Sequence, residues 1–484
     1  MGEKKRIRFI HTADLHLGSA LKSVGQTSGR IGEILKKATF TAMERICDLA
    51  LEEAVDFMVI AGDLYDREAR SVKAGFFLQE QFRRLAEKNI PVLIIAGNHD
   101  PLGEGGNLVT FPENVWVFGG DETQCFTIYD QSGARGGEVI ARVFGRSYKT
   151  RYEKEKVFES FRPQDREAWN IGLLHTALEP ESNYLPSTAG ELAKVEGIDY
   201  WALGHAHTGQ IISREPYIVY PGIPQGRAPD EQGIGGCFLV DLLPQAEAKI
   251  EFVPVSPVVW RVEEVWLDSS PGLSPENLDD LLELFERQGE TIMSGRDRKR
   301  PPEQSQEHVR PEALFGQNRK VVEGLTGDGQ GVKGYIVRWV LKGRGEIHRY
   351  LSAQGEEVEE EILSALRRRF GPEHGVEEPF LWSESIRFST GLPLPDLAEL
   401  RKSDETFNEL DLVIKGLRTE AGYKAAARRL GAVWEEAREG EGLEEQNAEK
   451  IQFRKTGGVN SLDFLIEEAK ELVIEKIMER RTGR

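Results

Sequence analysis

The chain has 484 residues, with 62 Lys and Arg against 81 Asp and Glu, a formal net charge of −19. That length exceeds one hydrophobic core and implies two or three domains, and the charge disfavours gripping a polyanion by counterion release alone, although a local basic face or a bound metal still allows it. No apolar run approaches the ~20 residues of a membrane span, no leader is expected at the charged start Met1 to Arg6, and Cys47, Cys125 and Cys237 are far apart, so membrane insertion, a disulfide framework and a zinc–thiolate site are disfavoured and a cytoplasmic location is expected.

Residues 7 to 11 read as a first strand, followed by a helical pattern over 34 to 54. Residues 57 to 61 form a second apolar run that ends at Gly62-Asp63. A helix over 73 to 88 leads to a third strand, 92 to 96, ending at Gly97-Asn98-His99-Asp100. This alternation predicts α/β layering. Shorter strands with Gly-rich turns follow over 115 to 144, then 170 to 174 leads into His175 and 200 to 203 into Gly204-His205. Residues 210 to 267 are strand-rich. The expected fold is α/β, an α+β sandwich of two packed β-sheets flanked by helices, over residues 1–255.

The composition shifts near Ser269. A helix (275 to 288), a polar insertion (294–331), a strand (332 to 342), a helix (356 to 370) and a strand (380 to 388) predict a smaller α+β capping domain over 256–395. Residues 396–484 read as helices, with an acidic linker at 435 to 449. In the last helix, capped by Asn460 or Ser461, Leu462, Leu465, Ile466, Ala469, Leu472, Val473 and Ile477 recur at helical spacing. That stripe over 461–480 either packs on the second domain or docks on another chain.

Asp14-Leu15-His16, Gly62-Asp63, Asn98-His99-Asp100, His175 and His205-Ala206-His207 each follow a predicted strand. A D-x-H pair alone arises by chance, and Gly-Asp after a strand is commonly a turn. The ordered set is more specific: of six histidines before residue 208, five belong to it. Two divalent ions ~3.5–4 Å apart need hard oxygen ligands, imidazoles and a bridging carboxylate. Strand ends supply rigid backbone for them, and side chains two apart on an extended segment share a face.

On these residues the chain resembles the calcineurin-like metallophosphoesterases. Within them it is similar to the SbcD-type DNA-repair nucleases, most of all their bacterial YhaO branch, through His11 to Gly18, Gly62 to Asp66, Asp199 to His207 and Tyr220-Pro221-Gly222. The resemblance covers residues 7 to about 243. It implies that Asp14, His16, Asp63 and His207 hold one metal. Asp63, Asn98, His175 and His205 would hold the other, with Asp63 bridging. It further implies His99 as proton donor or phosphate contact, with Asp100 orienting its ring. Manganese is the implied ion pair; N/O ligands also suit iron, zinc or magnesium. The implied partners are DNA and an SbcC-like, YhaN-type SMC ATPase, and pairing of two copies through the helix at 73 to 88, unless its Phe76, Phe77 and Phe82 are core.

Weaker signals each carry two readings. His11 is a packed histidine or part of the site. Arg146, Tyr148 and Arg151 are a solvated loop or a phosphate-backbone contact, and Arg227 is a buried ion pair or a substrate contact. The stretch 296 to 320, with seven basic and four acidic residues, is either a soluble insertion or a nucleic-acid contact. The function expected is a metal-dependent DNA phosphodiesterase. The rivals are a phosphodiesterase or phosphatase for small molecules at the same site, and a regulator of an ATPase with little turnover.

Overall fold

The computed structural model describes residues 4–267 apart from 23, 25–28, 67–70, 105–108, 131–136 and 164, then 275–294, 331–371, 379–393, 400, 405–417, 469–470, 473–474 and 476–477. The insertion at 294–331 and the linker at 435 to 449 lie essentially outside the described residues, as does most of the helix expected at 461–480.

Two six-stranded sheets form the body of the fold. The first has the order β12-β11-β1-β2-β3-β4, built from β1 (Ile7–Thr12), β2 (Phe57–Ala61), β3 (Val92–Ile95), β4 (Val115–Val117), β11 (Gly236–Leu242) and β12 (Lys249–Pro254). Here β1 to β4 run parallel, and β11 and β12 are antiparallel additions at one side. The second has the order β5-β6-β7-β8-β10-β9, from β5 (Gln124–Tyr129), β6 (Val139–Gly145), β7 (Trp169–His175), β8 (Tyr200–Gly204), β9 (Gln210–Arg214) and β10 (Tyr217–Tyr220). Its centre, β6-β7-β8-β10, is parallel.

Strand periodicity explains the layering. Side chains alternate faces, so Phe9, Phe57, Val59, Leu93 and Ile95 point to one side and pack with Ile171, Leu173, Tyr200 and Ala202 of the other sheet. Their neighbours Ile10, Met58, Ile60, Val92 and Ile94 point the other way, onto α1 (Gly29–Glu52) and α2 (Val72–Ala86) through Met43, Ile46, Leu78 and Phe82. The outer face of the second sheet packs Leu174, Trp201 and Leu203 against Phe158, Phe161 and Leu192, the last on α3 (Ala189–Leu192). Strands buried on both faces read as continuous apolar runs, which is why the parallel ones stood out in the sequence. Each fully buried Leu, Ile, Val or Phe stabilises the sandwich by ~1.5–3 kcal/mol.

A third sheet takes the order β13-β14-β15, from β13 (Val258–Trp266), β14 (Gly334–Arg344) and β15 (Phe380–Gly391). The remaining described helices are α4 (Leu278–Met293), α5 (His348–Phe370), kinked at Gln354, and α6 (Glu405–Leu417). Contacts divide the chain into two units: Met1–Glu263 with Pro311–Trp339 and Leu363–Ile386, and Glu264–Arg310 with Val340–Ile362 and Arg387–Arg484. In the second, Asn277 caps α4 by accepting from the Asp280 amide at 2.9 Å, as expected of an N-cap Asn. Among the described residues no helix is long and apolar enough to cross a membrane.

Candidate metal centre

Because β1, β2 and β3 are parallel, their C-terminal ends share one edge of the first sheet, and the segments after them carry Asp14 and His16, Asp63, and Asn98 and His99. β7 ends on His175, and β8 delivers His205 and His207. The two edges are locked together where His175 Nδ1 donates to the Ala61 carbonyl at 2.8 Å. All seven expected ligands therefore come to one place. The groups Asp14/His16/His207, Asp14/Asp63/His175 and His16/Asp63/His99 each bring their ligand atoms within 4.8 Å of one another. Asn98 Oδ1 lies 2.9 Å from His175 Nε2 and 3.2 Å from His205 Nδ1, which ties Asn98 and His205 to the same cluster.

The backbone is strained to achieve this. Asp14, His16, Asp63 and His205 have φ of 51°, 40°, 51° and 104°, a region non-glycine residues seldom adopt. Such strain survives where surrounding contacts over-determine it. Here the Asp14 amide donates to Gly62 O, the His16 amide to Asp63 O, and the His205 amide to the Asp14 carboxylate, each at 3.0 Å. Gly97 is required because a Cβ there would sit 2.1 Å from Asp63 Oδ1.

Histidine orientation is set from outside the cluster. His16 Nδ1 meets Asp66 Oδ1 at 2.7 Å, and His207 Nδ1 meets Glu231 Oε1 at 2.8 Å. With Nδ1–H donating outward, each Nε2 is left as a lone pair, the tautomer a metal ligand needs. His16 Nε2 is buried without any hydrogen-bond partner, 3.8 Å from Asp63 Oδ2. His175 Nε2 faces a carbonyl oxygen of Asn98, acceptor against acceptor, with Asp63 Oδ2 at 3.5 Å. Asp14 and Asp63 are each 1% exposed. Buried lone pairs and carboxylates aimed at one another are costly unless a cation lies among them, so the residues fit a metal site. Burial pushes the Asp14 carboxyl above its usual range; at Asp63 burial acts the same way and is the largest single influence, but His175, His16 and His99, with the His99 amide, together hold the group low. Burial also lowers His205 to about 3, which keeps it neutral.

The expected role of Asp100 is corrected. Its two oxygens accept from the Gly97 amide of its own turn and the Leu64 amide of the loop after β2, each at 2.8 Å, so they tie the turn that carries Asn98 and His99 to that loop. The carboxylate at His99 Nδ1 is that of Asp66, at 3.0 Å. Asp66 thus serves both His16 and His99; it ends the Gly62 to Asp66 stretch, for which the family resemblance implies no such role. Glu231 had no sequence signal at all. Arg227 is a buried ion pair, bonded to Asp66 at 2.8 Å and Glu231 at 2.9 Å. His11 is a packed histidine, with Nδ1 at Tyr200 Oη and Nε2 at Leu203 O, both 3.1 Å. Arg146 and Tyr148 are not a solvated loop: both are buried, and Tyr148 packs edge-on to His175 with ring centroids 5.7 Å apart. Arg151 is exposed.

A family model for calcineurin-like phosphoesterases matches residues 7–209. The chain is 34% identical over 292 residues to the uncharacterized metallophosphoesterase YhaO of Bacillus subtilis (strain 168), covering 59% of this chain and 70% of that protein. This chain belongs to the calcineurin-like phosphoesterases. It is a hydrolase of phosphoric esters, of a family that uses a dinuclear divalent metal site. This phosphoesterase is also 27% identical over 279 residues to the DNA double-strand break repair protein Mre11 of Methanopyrus kandleri (51% of this chain, 57% of that protein). To Mre11 of Archaeoglobus fulgidus it is 26% identical over 229 residues (45% and 49%). It therefore spans roughly half the length of those Mre11 relatives. Among solved structures, a dimetal phosphatase from Danio rerio aligns at 11% identity and a TM-score of 0.32, over 51% of this chain and 96% of that one.

Proposed function

We propose that the chain is a metal-dependent DNA phosphodiesterase acting in DNA repair, an exonuclease with endonucleolytic cleavage as a second mode. The observation that carries the hydrolytic reading is the convergence of buried carboxylates and imidazole lone pairs at the strand ends. Two features support nucleic acid as substrate. One is similarity to proteins named for DNA double-strand break repair. The other is a row of rings leading away from the centre: Tyr184 lies 5.0 Å from His205, and the 53%-exposed Tyr152 lies 5.7 Å from Tyr184. Nucleobases stack on such rings at ~1–3 kcal/mol each, independent of sequence.

Asp14, His16, Asp63 and His207 would hold one ion, and Asp63, Asn98, His175 and His205 the other. Manganese is the first candidate, with iron, zinc or magnesium also suited to N/O donors. When bound, a divalent pair supplies charge stabilisation to the phosphoryl oxygens and an activated water for in-line attack. The side chains do the rest. His99, 40% exposed at the mouth, has Nδ1 held by Asp66 and keeps Nε2 for protonating the leaving oxygen. Asp100 acts by fixing the turn beneath His99.

In this reading residues 1–255 are the nuclease domain, 256–395 a capping and DNA-contact domain, and 396–484 a helical region whose 461–480 segment engages an SbcC-like, YhaN-type SMC ATPase. Exposed Val72 and Phe76, one helical turn apart on α2, support pairing of two copies there; Phe82 is core and Phe77 packs on Phe40. A cytoplasmic location accords with three free cysteines. The net charge of −19 favours the rival reading of a small-molecule phosphodiesterase. The deciding experiment compares end-labelled linear DNA with bis-p-nitrophenyl phosphate under Mn²⁺, with Asp63→Ala as blank. DNA cleavage that the variant abolishes is the expected result. Turnover of the small diester with no DNA cleavage, even when the ATPase is added, would reject the nuclease.

A further inference from the structure

Three imidazoles of the centre, His16, His99 and His207, are held through Nδ1 by only two carboxylates. Asp66 Oδ1 serves His16 at 2.7 Å and His99 at 3.0 Å, and Glu231 Oε1 serves His207 at 2.8 Å. Both carboxylates end on one guanidinium. Arg227 Nη1 donates to Asp66 Oδ2 at 2.8 Å, and Nη2 donates to Glu231 Oε1 at 2.9 Å. The Arg227 amide also donates to Glu231 Oε2 at 2.6 Å. Arg227 is 7% exposed, and the side chains of Asp66 and Glu231 are 18% and 9% exposed. The rings they orient lie edge to face, His16 against His99 at 5.0 Å and His16 against His207 at 5.5 Å.

We infer that Arg227 is a positioning residue for the metal centre, a planar brace that fixes Asp66 and Glu231 so that three imidazoles keep their orientation together. The carriers come from separate strand ends: His16 follows β1, Asp66 follows β2, His99 follows β3, His207 follows β8, and Arg227 and Glu231 follow β10. Among the described residues, backbone bonds such as that from the His16 amide to Asp63 O tie the first two loops together, but none runs directly between His16, His99 and His207. The guanidinium does it because its donors diverge in one plane and reach two carboxylates at once. Lysine carries the same charge on a single atom and cannot span both. Removing Arg227 also leaves two partly buried carboxylates side by side without their shared cation, which releases both. The inference rests on the metal-centre reading, and not on DNA as substrate.

The test is Mn²⁺ affinity by calorimetry on metal-stripped protein, together with kcat and KM for bis-p-nitrophenyl phosphate. Outer partners of metal ligands contribute ~10–100-fold in affinity or activity, so Arg227→Met should weaken Mn²⁺ binding by that order and lower kcat more than it raises KM. Arg227→Lys should recover only part of the loss. Arg142→Met, which removes a distant ion pair to Asp165, should leave affinity unchanged. If Arg227→Met does not fold, the comparison moves to Asp66→Asn with Glu231→Gln. Adding Arg227→Lys to that double variant should then cost little more, because the brace has nothing left to hold. A folded Arg227→Met with wild-type Mn²⁺ affinity, or a full additional loss in the triple variant, overturns the inference. Wild-type protein that binds no Mn²⁺ rejects the metal centre itself, a separate outcome.

Discussion

At His99 the ring is gripped on one side by Asp66 and left 40% exposed on the other. That geometry suits a group that gives up a proton and does not hold an ion. His99→Ala is expected to lose most turnover, by ~10²–10⁴-fold, while elemental analysis still finds the wild-type metal content. Loss of the ions in that variant would instead make His99 a ligand. His11, eighty-eight residues earlier in the chain and buried in the sandwich, illustrates the opposite fate of a histidine. Burial lowers it to about 3 against an ordinary 6.5. The folded state therefore keeps His11 neutral while the unfolded chain takes a proton below pH ~6.5. Stability from this residue is complete above that pH and declines as pH falls toward 3, by up to ~1.4 kcal/mol per pH unit. Denaturant unfolding of wild type and His11→Asn between pH 6.5 and 4 should show the shallower slope in the variant; equal slopes refute a neutral His11.

Among the elements, β2 and β8 decide how closely the two sheet edges approach. A Cβ on Gly204 would stand 1.8 Å from the Ala61 carbonyl oxygen and 2.8 Å from His175 Nδ1, so only glycine lets the strands meet there. The same carbonyl fixes the His175 tautomer. Gly204→Ala should therefore cost ~1–3 kcal/mol of stability through overpacking and should also weaken metal binding, because the His175 ring must move. Gly190→Ala on α3, where a Cβ meets nothing within 4 Å, should change stability by no more than ~0.5 kcal/mol. Melting curves and a metal titration on both variants separate the two effects. Intact metal affinity in Gly204→Ala would sever the proposed link between sheet spacing and the site.

For the whole molecule, folding and metal binding should be coupled. Both sheets contribute candidate ligands, so an ion that binds only the assembled sandwich would stabilise it by RT ln(1 + [L]/Kd), ~2.7 kcal/mol at a hundredfold excess over Kd. Calorimetric melting should show the transition of the first unit rise when Mn²⁺ is added to chelator-treated protein, and Asp63→Ala should abolish the rise. An unchanged transition in wild type would mean that the ligands do not act as one site. The acidic charge bears on scale too. With −19 on the chain, long-range attraction of DNA has to come from a local surface, from bound cations or from a partner chain.

What the amino-acid sequence determined by itself was the periodic part. Strands 57 to 61 and 92 to 96 were legible because burial on both faces makes a continuous apolar run, and the candidate ligands were legible because they sit directly beyond those runs. Positions near the ends of strands were recovered because chain direction alone brings parallel C-termini to one edge. Tertiary structure alone decided which carboxylate serves which imidazole. Asp66 and Arg227 are 161 residues apart, and Glu231 lies on an irregular loop with no period to mark it. The family resemblance implied Asp100, next to His99 in the chain, as the ring's partner. Its oxygens accept instead from the amide of Gly97 in its own turn and from that of Leu64 in the loop after β2, satisfying two backbone donors and leaving the ring to Asp66, an acceptor on that same loop.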